Sequence, residues 1–146
     1  VFGAGLQARE HIRAMLCVRP GIEKVFIINR SPDRAESLAK ELMEVNDAEV
    51  MQLRHCSSLL QLFSRVEFST IPLIEESFVR QAVESADIVC TTTNSSTPLF
   101  SGRWLKPGCH INAIGSYLPS MQELDEETVE RAKLVVDCKQ GRGCAD

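Results

Sequence analysis

Gly3-Ala4-Gly5-Leu6-Gln7-Ala8 conforms to the pattern G-x-G-x-x-A, and no other stretch limits the fold of this chain as tightly. In a strand-to-helix turn of this kind the first glycine makes the tight reversal. The second lets backbone approach a ligand, and the third small residue allows the helix to pack closely on the strand. Behind the motif, Ala8, Ile12, Met15 and Leu16 fall on one face of a helix, which Pro20-Gly21 should end. Val25-Phe26-Ile27-Ile28 reads as a strand buried on both faces. Ser31, Pro32 and Asp33 then supply an N-cap, a proline at the first helical position and an acid for the helix dipole. The stripe they introduce is Ala35, Leu38, Ala39, Leu42 and Met43.

Glycine turn, helix, strand, helix is the alternation of a parallel sheet. The expected fold class is therefore α/β, a Rossmann-type doubly wound parallel sheet, as one domain over residues 1–138 with a loose tail at 139–146. Residues 46–65 have mixed character, with a helical stretch expected at 59–63. A strand is expected at 66–71, and a helix at 75–85 carrying Phe78, Ala82 and Val83 inward. Residues 87–93 form an apolar strand with a hydroxyl-rich end, Lys106-Pro107-Gly108 a turn, and 110–114 a strand leaving through Gly115-Ser116. Asp125-Glu126-Glu127 can cap a helix reaching Ala132, and Leu134-Val135-Val136-Asp137 reads as a last strand. Only Val1 and Phe2 precede the glycine turn, so the expectation is a domain lacking most of its first strand. That strand is central in the order 3-2-1-4-5-6. Its loss would leave these residues marginally stable or aggregation-prone on their own.

Composition narrows the class of partner. The net charge is -4, with 16 Lys+Arg against 20 Asp+Glu, which argues against a nucleic-acid or anionic-membrane surface. No apolar run approaches the roughly 18 residues of a membrane span. The six cysteines form no C-x-x-C pair and no His cluster joins them, so a zinc site is not expected. Several sit in apolar runs, as in Ile88-Val89-Cys90, where a thiol is a small buried hydrophobe. The expectation is a reduced, cytoplasmic protein.

The glycine turn suits a dinucleotide. Gly3, Gly5 and Ala8 fill the three small-residue roles, and Leu6 and Gln7 bring the first helical amides to the diphosphate. NAD sites place Asp or Glu roughly 20 residues on, to accept from the ribose 2′-hydroxyl. Here Asn29 stands there, followed by Arg30 and Ser31, with Arg34 a secondary candidate. No carboxylate repels a 2′-phosphate, and a guanidinium with a hydroxyl can bind one. This reading favours NADP(H), with NAD(H) the alternative; the bland reading of Arg30 is a solvated helix-entry residue. Thr92, Thr93, Ile114, Gly115 and Ser116 lie at carboxyl ends of strands, where ligands bind in open parallel sheets. Gly115 would let backbone approach a flat nicotinamide ring, whereas threonines at a strand end can also simply cap the next turn.

Taken together, Gly3–Ala8, residues 86–93, Trp104-Leu105-Lys106-Pro107-Gly108, Asn112-Ala113-Ile114-Gly115-Ser116, Pro119 and Met121-Gln122-Glu123-Leu124-Asp125 resemble the ornithine cyclodeaminase/mu-crystallin family. The resemblance implies a Rossmann nucleotide domain that works with a separate substrate and dimerisation domain, built mainly from sequence before the glycine turn, in a homodimer. It also implies hydride transfer to or from the carbon bearing the nitrogen of a small amino or cyclic imino acid. The catalytic groups are expected in that other domain, and none is assigned here. An Asn-Arg-Ser/Thr sequence accompanies NADPH use in mu-crystallin-like members, matching Asn29-Arg30-Ser31. Cyclodeaminases of the family carry an acid/base Asp where this chain has Tyr117. A phenol with an ordinary pKa near 10 replaces that carboxylate poorly, so the ketimine reductase branch gains over an NAD-dependent ammonia lyase. Tyr117 itself reads as a packing residue, with a substrate-side neighbour as the alternative. A non-catalytic NADPH-binding crystallin is the rival of another class. Shikimate-dehydrogenase-like and glutamyl-tRNA-reductase-like domains are enzyme rivals, resembled at residues 29–35 but not over 104–125.

Overall fold

The apolar stripe behind the glycine turn folds as helix α1 (Leu6–Val18), burying Ala8, Ile12 and Leu16. The computed structural model describes residues 1–44 and 65–136, which fall into two compact units. The first holds Val1 and residues 3–74. There α1 is followed by strand β1 (Lys24–Asn29), helix α2 (Pro32–Met43) and strand β2 (Glu67–Pro72). Proline stands at the start of α2 and Asp33 in its first turn, as its sequence suggests. β1 and β2 run parallel in a register that sets Lys24 opposite Glu67 and Ile28 opposite Ile71. Ile28 gives its N–H to the Val1 carbonyl (2.8 Å) and accepts from the Gly3 amide (2.9 Å). At the two ends of the pairing, the Glu23 and Asn29 carbonyls accept from Glu67 N–H and Leu73 N–H.

One core ties this unit together: Ala8, Ile12 and Leu16 of α1, Val25 and Ile27 of β1, Ala35, Leu38, Ala39 and Leu42 of α2, and Val66. Removing a side chain the size of Ile12, Leu16, Ile27 or Leu42 from water contributes about 2 kcal/mol each. Met43 was expected in the α2 stripe but is exposed, because it lies about 100° around the helix from Leu42.

The second unit holds Phe2 and the residues from Glu75 onward. Its described elements are helix α3 (Glu76–Ser85), strand β3 (Ile88–Thr91), a short 3-10 turn (Gly102–Trp104), strand β4 (His110–Ala113) and helix α4 (Glu126–Arg131). β3 and β4 are parallel, with Ile88 opposite His110 and Thr91 opposite Ala113. Phe2 donates to the Cys90 carbonyl (2.8 Å) and accepts from Thr92 N–H (2.9 Å). Its ring, 2% exposed, stacks on Phe100 at 5.2 Å. Asp125 caps α4, as its acidic start suggests, accepting from Thr128 N–H.

Two expectations fail here. Phe78 does not point inward: Val79, Ala82 and Val83 are the buried face of α3, one position round from the face expected, and Phe78 is exposed. Leu134, Val135 and Val136 form no strand and are 70%, 83% and 51% exposed. An apolar run becomes a strand only where a sheet edge pairs with it, and no described strand does so. Asp137, the helix expected at 59–63 and the tail at 139–146 lie outside the described residues. Among the described residues, no helix is long and apolar enough to cross a membrane, and no cluster of His, Cys, Asp or Glu could hold a metal ion.

Candidate functional site

In the first unit the candidate residues gather around the glycine turn. Gly3 takes φ 107°, backbone that favours glycine, and is held there by its bond to Ile28. Gly5 is the N-cap of α1 with extended backbone, and no side chain caps the helix. A Cβ added at Gly5 would meet no protein atom within 4 Å, so the packing of the chain itself does not call for glycine there. The first helical amides, at Leu6, Gln7 and Ala8, have no intrahelical acceptor. No acid stands in the first turn to compete for them. Leu6 and Gln7 are exposed, while Ala8 is fully buried against the core, the close helix–strand contact that a small residue permits.

A cavity of about 290 Å³ opens on this turn, lined by Ala4, Gly5 and Leu6 and by Arg9, Arg34, Ser37, Leu38 and Glu41. Arg34, Ser37, Leu38 and Glu41 share one face of α2 by their i, i+3, i+4, i+7 spacing, which is the sequence signal that could have found this wall. Arg9 bonds Glu41 and Glu10 at 2.8 Å each, and those bonds raise its already high pKa. Its charge is thereby compensated. Arg34 has no ion-pair partner among the described residues, so it is the uncompensated cation on this wall.

Asn29, Arg30 and Ser31 follow β1. Asn29 turns its amide onto the Ser31 carbonyl (2.9 Å). Arg30 and Ser31 are exposed; Ser31 is the α2 N-cap by position, yet its side chain makes no capping bond. None of the three lines the cavity. The structure therefore brings Arg34, not Arg30, to the wall shared with the glycine turn.

In the second unit the candidates sit where β3 and β4 end. The Thr92 hydroxyl donates to the Phe2 carbonyl at 2.8 Å. Ile114 N–H donates to the Thr91 carbonyl at 2.9 Å. Glu123, 1% exposed, joins the remainder: its carboxylate accepts from Thr93 N–H and hydroxyl, both at 2.6 Å, and from Gly115 N–H at 2.8 Å. The Glu123 N–H in turn donates to the Ser116 hydroxyl at 3.1 Å. Glu123 was legible in the sequence only as one letter of a family block, because a lone Glu between Gln122 and Leu124 carries no periodic signal.

The chain's own contacts also account for glycine at position 115. A Cβ there would lie 2.0 Å from the Thr93 carbonyl oxygen and 2.5 Å from Glu123 Cδ, so the chain's own packing requires it. Tyr117, expected to pack, is 65% exposed instead.

Comparison with known proteins places this geometry. Residues 64–142 match the ornithine cyclodeaminase/mu-crystallin family, and residues 1–71 match the shikimate/quinate 5-dehydrogenase family. The chain is 34% identical over 141 residues to a delta(1)-pyrroline-2-carboxylate reductase of Bacillus cereus, covering 96% of this chain and 36% of the relative. It is 31% identical over 140 residues to ketimine reductase mu-crystallin of Rattus norvegicus, with the same coverage. The structure of Thermococcus litoralis delta(1)-pyrroline-2-carboxylate reductase in complex with NADH and L-proline superposes with a TM-score of 0.73 at 31% identity. That likeness covers 99% of this chain and 38% of the other, and it bears out the Rossmann-type α/β class. The chain thus spans a little over a third of the length of the curated relatives it matches. Because the first of these models covers more than half of the residues, including the Thr93–Gly115–Glu123 junction, the chain belongs to the ornithine cyclodeaminase/mu-crystallin family.

Proposed function

We propose that this chain is the NADP(H)-binding part of an oxidoreductase that reduces the C=N bond of a small cyclic or acyclic imino acid, or runs that reaction in reverse. The observation that carries the reading is Gly5: exposed, at the uncapped start of α1, and with open space where a side chain would be. A glycine that the protein's packing does not need, beside unpaired helical amides, fits backbone approach by a diphosphate. The relatives named above are pyrroline-2-carboxylate and ketimine reductases, and the Thermococcus litoralis reductase holds NADH and L-proline.

The amides of Leu6, Gln7 and Ala8 would hold the diphosphate. Arg34 on the cavity wall, with Arg30 and Ser31 after β1, would take the 2′-phosphate; Asn29 adds no negative charge. Backbone at Thr93, Ile114, Gly115 and Ser116 would border the nicotinamide, since the Thr92 and Thr93 hydroxyls are already committed to Phe2 and Glu123. When bound, the reduced nicotinamide supplies hydride to the imine carbon. Tyr117 is exposed and offers no carboxylate for the acid/base work of a cyclodeaminase.

Calorimetric titration of the full-length protein that contains this chain with NADPH and NADH, followed by an assay with a cyclic ketimine, tests the proposal. NADPH is expected to bind at least about tenfold tighter than NADH, and to be oxidised when the ketimine is added. Equal affinities would remove the 2′-phosphate assignment. Tight binding without oxidation would favour the crystallin-like binder, and no heat with either dinucleotide would remove the site.

A further inference from the structure

Glu123 is a buried carboxylate that the proposed chemistry does not use. It makes no ion pair among the described residues, and burying an anion without a cation is costly. What compensates it is a set of donors only: Thr93 N–H, Thr93 hydroxyl and Gly115 N–H. This explains the residue type. A carboxylate offers acceptors on both oxygens, whereas a glutamine would turn an NH2 group onto at least one of these donors. The main chain of Glu123 is fixed as well, accepting from Leu99 N–H (2.9 Å) and donating to the Ser116 hydroxyl (3.1 Å). One side chain therefore ties the backbone leaving β3 to the backbone leaving β4. Glycine at 115 is what lets the Glu123 carboxylate and the Thr93 carbonyl close in on the second strand end.

We infer that Glu123 is a positioning residue for the nicotinamide end of the cofactor, acting through Thr93 and Gly115. The inference rests on the proposed reading that those two strand ends border the nicotinamide. A group held only by loop backbone must be fixed to within a fraction of an ångström for hydride transfer to be efficient. Glu123 supplies that fixity by satisfying two strand-end amides with a single rigid anion.

The experiment compares wild-type protein with Glu123→Gln, Thr93→Val and Thr93→Ser, measuring affinity for NADPH and for adenosine 2′,5′-bisphosphate, which lacks the nicotinamide. Glu123→Gln is expected to weaken NADPH binding about tenfold while leaving the bisphosphate within about twofold. It should also lower kcat for ketimine reduction more than it raises the imino acid KM. Thr93→Val should follow it in the same direction, and Thr93→Ser, which keeps the hydroxyl, should lose clearly less than Thr93→Val. Thr93→Val carries the test alone if Glu123→Gln does not fold. Equal losses for both ligands, or unchanged NADPH affinity, would overturn the positioning role. If wild-type protein binds neither ligand, it is the dinucleotide reading itself that falls.

Discussion

Gly115 and Thr93 approach so closely that a single methyl group on the glycine would stand 2.0 Å from the Thr93 carbonyl oxygen. That neighbour is backbone, not the free end of a side chain, and cannot swing aside. Gly115→Ala should therefore cost about 3 kcal/mol or more of stability, at the upper end of overpacking penalties. Urea unfolding checks it, and a loss below about 1 kcal/mol would show that the strand ends can part.

Gly5 gives the opposite expectation. Its backbone is accessible to any residue, and an added methyl meets nothing. Gly5→Ala should change stability by less than about 1 kcal/mol, with the loss of an N-cap glycine and the gain from a stiffer unfolded chain nearly cancelling. Dinucleotide affinity should nonetheless fall at least about tenfold if a diphosphate must approach the backbone here. A stable variant with unchanged NADPH binding in calorimetry would place the cofactor elsewhere.

These two glycines show what the sequence could and could not convey. Local signals were enough for the elements: the 3.6-residue stripes of α1 and α2, the proline start of α2 and the β-branched run of β1 all appear where their patterns lie. Gly5 and Gly115 look alike as letters, yet one faces open space and the other a carbonyl, a distinction set by contacts distant in sequence. Glu123 is the same case: its role depends on Thr93, 30 residues away, and no spacing rule reaches so far. Phe78 and Leu134–Val136 show the limit of apolar character as a signal, because burial also needs a partner surface.

On the proposed 2′-phosphate assignment, Arg34 and Arg30 should separate the two cofactors. A guanidinium bonded to a phosphate contributes about 1.5–3 kcal/mol, so Arg34→Ala should weaken NADPH binding at least about tenfold and leave NADH within about twofold. Arg30→Ala should act in the same sense. Its effect should be the smaller of the two, because Arg34 lines the glycine-turn cavity and Arg30 does not. Parallel titrations of each variant decide it; equal losses for both dinucleotides would mean the arginines support the fold, not the phosphate.

Asp125 predicts a pH dependence. Its carboxylate accepts from Gly102 N–H (2.8 Å), Thr128 N–H (2.9 Å) and the Thr128 hydroxyl. Burial opposes the charge, but the hydrogen bonds from Thr128 and Gly102 outweigh it and hold the carboxyl below its ordinary pKa. A carboxyl lowered in the folded state stabilises the fold above its unfolded pKa, near 3.9, and that contribution is lost as pH falls through the folded value. Asp125→Asn should therefore cost about 1–2 kcal/mol at neutral pH, by loss of the α4 cap and of the tie to Gly102. The gap between wild type and variant should then narrow steadily as the solution is acidified below about pH 4. Unfolding free energies measured across that range test the sign directly, and a gap that stays constant or widens in acid would show that the Asp125 charge contributes nothing to the fold.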